Sequence, residues 1–225
     1  MKFEEKKVIL FDLDGTLIDS APDLASAVNQ MLVEIGLSPF EVDTIRYWVG
    51  NGAQMLVSRA LSGSKEVNPS LDQNDIQNAL EIFFSYYRQN LAIHTTLYPH
   101  VKETLQTLHT RGYRLAIVTN KPYAFVEPIL QALEIVTFFE FWIGGDSLEK
   151  KKPDPLPLSH TVQMMQTTIE ASIMVGDSKN DILSANALSM DSIGLTYGYN
   201  YGEKIEYYQP TVVVEDFADL LRLLP

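Results

Sequence analysis

Val8-Ile9-Leu10-Phe11 is a short, uninterrupted apolar run, and it stops abruptly at Asp12-Leu13-Asp14-Gly15-Thr16. An apolar run of this length without polar alternation suits a strand covered on both faces, the condition of a central strand in a parallel sheet. The acids stand at i and i+2, so both side chains point to the same side wherever extension continues past the strand. Asp and Gly are ordinary turn formers. A plain turn, however, gives no reason for paired carboxylates at the mouth of a buried strand.

Further runs of the same kind are Leu115 to Val118, Ile173 to Val175 and Val212 to Val214, with weaker candidates at Phe141 to Ile143 and Ser192 to Leu195. Helical spacing lies between them: Val101, Leu105 and Leu108, then Phe125, Ile129 and Leu133. Strands alternating with helices predict an α/β fold with a Rossmann-like parallel sheet. Ligands of such sheets sit outside the carboxyl ends of the strands.

Residues 20–92 have helical periodicity and almost no strand pattern, which predicts a helical cap domain inserted into a core made of residues 1–19 and 93–225. Ser20-Ala21-Pro22-Asp23 has the spacing of a capping box, and it opens a stripe of Leu24, Val28, Met31, Leu32 and Ile35 closed by Gly36. A second stripe runs through Ile76, Leu80, Phe83, Phe84 and Tyr87. Met31, Met164 and Met165 are read as core.

Composition narrows the partners. Against 17 Lys and Arg stand 29 Asp and Glu, a formal charge of −12, so nucleic acid and anionic membranes would meet repulsion. There is no cysteine, which removes thiolate metal sites and thiol nucleophiles and suits a reducing compartment. The first apolar run is too short for a signal-peptide core, and no later run approaches a membrane span. A cytoplasmic protein without nucleic-acid or membrane partners is expected.

Three other polar turns follow strands or precede helices. Gly176-Asp177-Ser178-Lys179-Asn180-Asp181 puts one carboxylate at a strand end and a second four residues on, where it faces back from the first helical turn. Helix capping explains such a turn by itself. Together with Asp12 and Asp14 it makes an oxygen-rich cluster of the kind that suits a hard cation such as Mg²⁺. Thr119-Asn120-Lys121-Pro122 offers a hydroxyl and free N–H groups at a helix N-terminus, an anion site or simply an N-cap. Lys150-Lys151-Lys152 before Pro153-Asp154-Pro155 is either a solvated loop or a lysine fixed by the adjoining prolines.

In order and spacing these four turns resemble the motifs of the haloacid dehalogenase superfamily of phosphotransferases, over essentially the whole chain. The resemblance implies that Asp12 is the nucleophile, Asp14 the general acid and base, and Thr119 and Lys152 the phosphate ligands. It implies that Asp177 binds Mg²⁺ with support from Asp181, and that a carboxylate oxygen of Asp12 and the backbone carbonyl of Asp14 complete the protein ligands. Gly15 and Asn120 are carried along as substrate contacts. Lys152 is preferred to its two neighbours because it precedes the Pro-Asp-Pro element.

Within the cap, Trp48-Val49-Gly50-Asn51-Gly52-Ala53 followed by Arg59 is similar to a segment of bacterial phosphoglycolate phosphatases, as is Gly144-Gly145-Asp146-Ser147 in the core. That implies 2-phosphoglycolate as the substrate, with Gly50, Asn51 and Gly52 over it and Arg59 meeting its carboxylate. A Gly/Asn turn before a helix is the plainer reading of the cap segment. A phosphatase of another small ester, a sugar phosphomutase, a dehalogenase and a non-catalytic binding module are the competing readings; Asp14 and the Asp177/Asp181 pair argue against the dehalogenase, and four polar strand ends in catalytic order against the binding module. The tyrosines at 197, 199 and 201 are read as packing or a weak homodimer contact in an otherwise monomeric protein.

Overall fold

The structure is a computed structural model that describes residues 3–225; the first two residues of the expected 1–19 segment lie outside it. Six parallel strands form one sheet: β1 (Val8–Phe11), β4 (Arg114–Val118), β5 (Phe139–Ile143), β6 (Ser172–Gly176), β7 (Asp191–Leu195) and β8 (Val212–Val214), in the order β5-β4-β1-β6-β7-β8. Every residue of β1 is buried, which explains its unbroken apolar sequence. Ile9 and Phe11 face one apolar cluster and Val8 and Leu10 the other. The first cluster is covered by α5 (Val101–Thr110), α6 (Tyr123–Ala132) and α9 (Leu220–Leu223), and the second by α7 (Leu156–Met164) and α8 (Lys179–Asn186).

The strand order reverses direction around β1. From there the chain builds β4 and β5 on one side and β6, β7 and β8 on the other, so the crevice for a ligand opens above the carboxyl end of β1. Register does the rest. Phe11 stands level with Ile117 of β4 and Val175 of β6, so the turns beginning at Asp12, Thr119 and Asp177 emerge side by side.

Between β1 and β4 the chain passes through β2 (Ile18–Asp19), then α1 (Ala21–Glu34), α2 (Val42–Arg46), α3 (Ala53–Ser62) and α4 (Gln73–Gln89), and returns through β3 (Thr96–Leu97). β2 and β3 pair antiparallel, so the outgoing and returning connections run together as a two-stranded ribbon. Two-residue strands carry no periodicity, which is why the sequence does not announce them. The helices cover the carboxyl end of the sheet. Phe125 of α6 meets Tyr87 of α4 edge-on at 5.1 Å between centroids and Phe84 at 5.5 Å.

Local expectations differ at three points. The capping box at Ser20 is not formed: its hydroxyl donates to Asp14 Oδ1 (2.6 Å), and buried Asp23 accepts from the N–H groups of His94 and Thr95 and from the Thr95 hydroxyl. Both residues tie the beginning of α1 to its surroundings instead of to its own backbone. Met31 and Met165 are buried, but Met164 is 53% exposed, because Leu158, Val162 and Met165 already form the inward row of α7 at i, i+4, i+7. Ile35, at the end of the α1 stripe, is also exposed. Among the described residues no helix is long and apolar enough to cross a membrane.

Candidate active site

Asp12 is buried at the end of β1. Its Oδ1 accepts from the N–H of Leu13 (2.7 Å) and lies 3.0 Å from Lys152 Nζ, so Oδ2 is the oxygen engaged by neither. Lys152 is 1% exposed, and its ammonium also donates to Asp181 Oδ1 at 2.5 Å. Lys151 instead donates to the backbone carbonyl of Asn51 (2.7 Å). Of the basic run, Lys152 alone is brought to Asp12.

Carboxylate oxygens of Asp12, Asp177 and Asp181 lie within 4.8 Å of one another, all buried. Asp177 is fixed by the Thr16 hydroxyl on Oδ1 (2.7 Å) and by the N–H of Tyr199 on Oδ2 (2.6 Å). Glycine is required on both sides of it: a Cβ on Gly15 (φ +90°) would fall 2.3 Å from Asp177 Oδ2, and one on Gly198 (φ +94°) 2.4 Å from the same atom. Asp181 does two jobs at once. Its Oδ2 closes a capping box with the N–H and hydroxyl of Ser178, and its Oδ1 holds Lys152. Capping and site assembly are therefore not alternatives in this turn.

Three buried carboxylates face one ammonium. Burial, opposed by Lys152 and reinforced by Asp181, pushes Asp12 up to about 7; burial together with Asp181 and Asp12 raises Asp177 well above the usual carboxylate range. Such uncompensated negative charge, on hard oxygen donors, fits a divalent cation. The Asp14 side chain lies outside this cluster. Lys121 donates to its Oδ1 (3.0 Å) and Oδ2 (3.1 Å). For Lys121, burial works against the charge, but Asp14 and Tyr87 beside it hold it above the ordinary lysine range.

The turn after β4 is braced by the Gly144-Gly145 segment. Gly145 N–H donates to Lys121 O (2.8 Å), and a Cβ there would fall 2.4 Å from Asn120 O. This holds Thr119 and Lys121 at the rim of a cavity, partly open to solvent, whose polar wall is Asp12, Asp14, Thr119, Asn120 and Lys121. The opposite wall comes from the inserted helices and is mainly apolar, with Leu24, Leu56, Phe83 and Tyr87.

Gly50 and Gly52 line this cavity; Asn51, Arg59 and Gly15 do not. Arg59 is buried, with its guanidinium donating to Lys65 O (3.0 Å), Trp48 O (2.7 Å) and Asn51 Oδ1 (3.0 Å). Asn51 Oδ1 also accepts from the Tyr201 hydroxyl (2.7 Å). These two residues shape the loop around Gly50 from behind. The Gly50 carbonyl in turn accepts from the side-chain amides of Asn120 (3.1 Å) and Asn180 (3.1 Å), which dock the cap loop on the core. Asn120 thus donates to protein on both sides, its other partner being Lys152 O (2.9 Å).

The sequence assigns no site role to Thr16, Lys121, Tyr87 or the segment around Gly198 and Tyr199. Lys121 carries a signal, its place two residues after Thr119 in a polar strand end; Tyr199 carries none, because its partner is distant in sequence. Tyr199 and Tyr201 are buried inside the molecule, as the packing reading expects, while Tyr197 is half-buried.

The family model for haloacid dehalogenase-like hydrolases matches residues 9–195. The chain belongs to this family. It is 52% identical to the phosphoglycolate phosphatase of Colwellia psychrerythraea over 221 residues, 98% of each chain, and 47% identical to that of Psychrobacter arcticus, covering 98% of this chain and 96% of the relative. A crystal structure of a predicted phosphoglycolate phosphatase from Haemophilus somnus superposes with a TM-score of 0.90 at 40% identity, covering 97% of both chains. That superposition takes in nearly the whole of both chains, sheet and helical insert together.

Proposed function

We propose that the protein hydrolyses 2-phosphoglycolate to glycolate and phosphate through an aspartyl-phosphate on Asp12. The observation that carries this reading is the single buried constellation at the end of β1: Asp12 beside Lys152, backed by Asp177 and Asp181, opening on a small cavity roofed by the inserted helices. The names of the relatives supply the substrate.

Asp12 Oδ2 attacks phosphorus in line with the ester oxygen; the bond from phosphorus to that oxygen breaks, and Asp14 gives the leaving glycolate its proton. Asp14 then takes a proton from water, whose oxygen attacks phosphorus. The bond to Asp12 breaks, and phosphate leaves. An unassisted carboxylate meeting a phosphate dianion at about 4 Å would face about 4 kcal/mol of repulsion at an effective dielectric near 20. Lys152 reduces it, Thr119 holds the phosphoryl oxygens, and Asp12, Asp177, Asp181 and the Asp14 carbonyl would hold Mg²⁺. Mg²⁺, when bound, supplies further charge neutralisation at the transferring phosphoryl group.

The helices of residues 20–92 act as a cap that excludes water and polymeric substrates. We place the protein in the cytosol, as the absence of cysteine suits, and as a monomer or weak homodimer, with Tyr199 and Tyr201 packed internally. The test is phosphate release with Mg²⁺ across small phosphoesters. Phosphoglycolate should have the highest kcat/KM; equal values for phosphoglycolate, ethyl phosphate and hexose phosphates would remove the substrate assignment.

A further inference from the structure

A substrate whose only handle besides the phosphate is a carboxylate needs a second anion subsite. Arg59 does not provide it, because it lies outside the cavity, with each of its three guanidinium nitrogens already donating to Lys65, Trp48 or Asn51. Lys152 sits with Asp12 and Asp181 behind the nucleophile and is not part of the cavity wall.

Two other groups meet the need. Lys121 reaches the cavity from the core, with its side chain only 2% exposed, and bonds Asp14. An ammonium has three donors, so that pair does not exhaust it. Tyr87 reaches the same cavity from α4 and is 1% exposed; its hydroxyl makes no hydrogen bond of ordinary geometry among the described residues, and the neighbouring Lys121 ammonium, a donor only, leaves the hydroxyl proton without an acceptor. Lys121 Nζ lies 4.9 Å from the centroid of the Tyr87 ring. A buried hydroxyl without a partner is costly in a folded protein unless it serves something that binds. A buried cation and an unpaired neutral donor, one from the core and one from the cap, are what a small carboxylate requires, and its arrival would join the two halves of the cavity.

We propose that Lys121 and Tyr87 form the subsite for the substrate's carboxylate, and so set the preference for a phosphorylated acid over a simple phosphate ester. This rests on the proposed function. A ligand lacking the carboxylate leaves the Tyr87 hydroxyl unpaired and Lys121 without its second anion, so the site discriminates by what it fails to satisfy.

The test compares kcat/KM for phosphoglycolate and ethyl phosphate, with Mg²⁺, in the wild-type enzyme, Tyr87→Phe and Lys121→Met, together with Tm. Tyr87→Phe keeps the ring under the lysine and removes only the hydroxyl. It should lower the phosphoglycolate to ethyl phosphate ratio roughly ten- to a hundredfold, chiefly through KM for phosphoglycolate, as expected for a hydrogen bond to a charged group. Its Tm should hold or rise, since the hydroxyl proton has no protein acceptor to lose. Lys121→Met should lower the ratio at least as far. A wild-type ratio near one would overturn the substrate assignment itself. A high wild-type ratio retained in both variants, or a Tyr87→Phe variant that loses both substrates equally or loses Tm, would overturn this subsite and leave that assignment standing.

Discussion

The backbone N–H of Tyr199 donates to Asp177 Oδ2 at 2.6 Å, while the hydroxyl of the same residue donates to Asp19 and accepts from the N–H of Ala21 (3.1 Å). One residue therefore joins a carboxylate of the proposed cation site to the ribbon where the cap begins. Arg46 reinforces the far end, with its guanidinium 2.6 Å from Asp19 Oδ1 and 5.6 Å from the centre of the Tyr199 ring.

The two ends of this link should separate by mutation. Gly198→Ala places a methyl group against Asp177 Oδ2 and Gly15 O in a left-handed backbone, so it should weaken Mg²⁺ binding and activity together. Tyr199→Phe keeps the N–H on Asp177 and loses only the contacts to Asp19 and Ala21. It should cost about 1.5–3 kcal/mol of stability, the range for a hydrogen bond to a charged group, with Mg²⁺ affinity retained. Denaturant unfolding and Mg²⁺ titration of both variants check this.

Removal of the cation should destabilise the fold, because the buried carboxylates of Asp12, Asp177 and Asp181 then repel one another across a site holding one ammonium. Mg²⁺ should raise Tm relative to chelator in the wild-type protein. Asp177→Asn removes one of the charges, so its Tm in chelator should equal or exceed that of the wild type, while the gain on adding Mg²⁺ disappears. A full Mg²⁺ shift in Asp177→Asn would count against this residue as a ligand.

Much of this arrangement was legible in the sequence, and for a physical reason. Strands buried on both faces must be apolar throughout, so β1, β4 and β6 stand out, and the polar turn after each marks the carboxyl edge of the sheet. Contacts distant in sequence were not legible. Asp177 receives Thr16 and Tyr199, and neither local pattern names the partner. The sequence at Ser20 and at Ser178 offers similar capping spacing, yet only the second closes, because Asp14 draws the Ser20 hydroxyl away. Arg59 shows the opposite failure: its charge was visible, but not the carbonyls of Trp48 and Lys65 that hold it.

Lys152 and Lys151 should differ sharply although they are neighbours. Lys152→Ala leaves Asp12 and Asp181 buried without their cation, which should destabilise the protein by about 3–5 kcal/mol and severely lower kcat/KM. Lys151→Ala removes an exposed contact to the Asn51 carbonyl and should change Tm and kcat/KM only slightly. Parallel kinetics and unfolding of the two variants decide whether the charge at Asp12 comes from Lys152.

The central claim is that Asp12 carries the phosphoryl group, and rapid quench with ³²P-labelled phosphoglycolate and Mg²⁺ tests it most directly. The account predicts transient, hydroxylamine-sensitive label on the peptide containing Asp12, formed and lost at rates sufficient for turnover, and no label or turnover in folded Asp12→Asn. Phosphate release without labelled protein in the pre-steady state, label on another peptide, or full turnover by Asp12→Asn would contradict it.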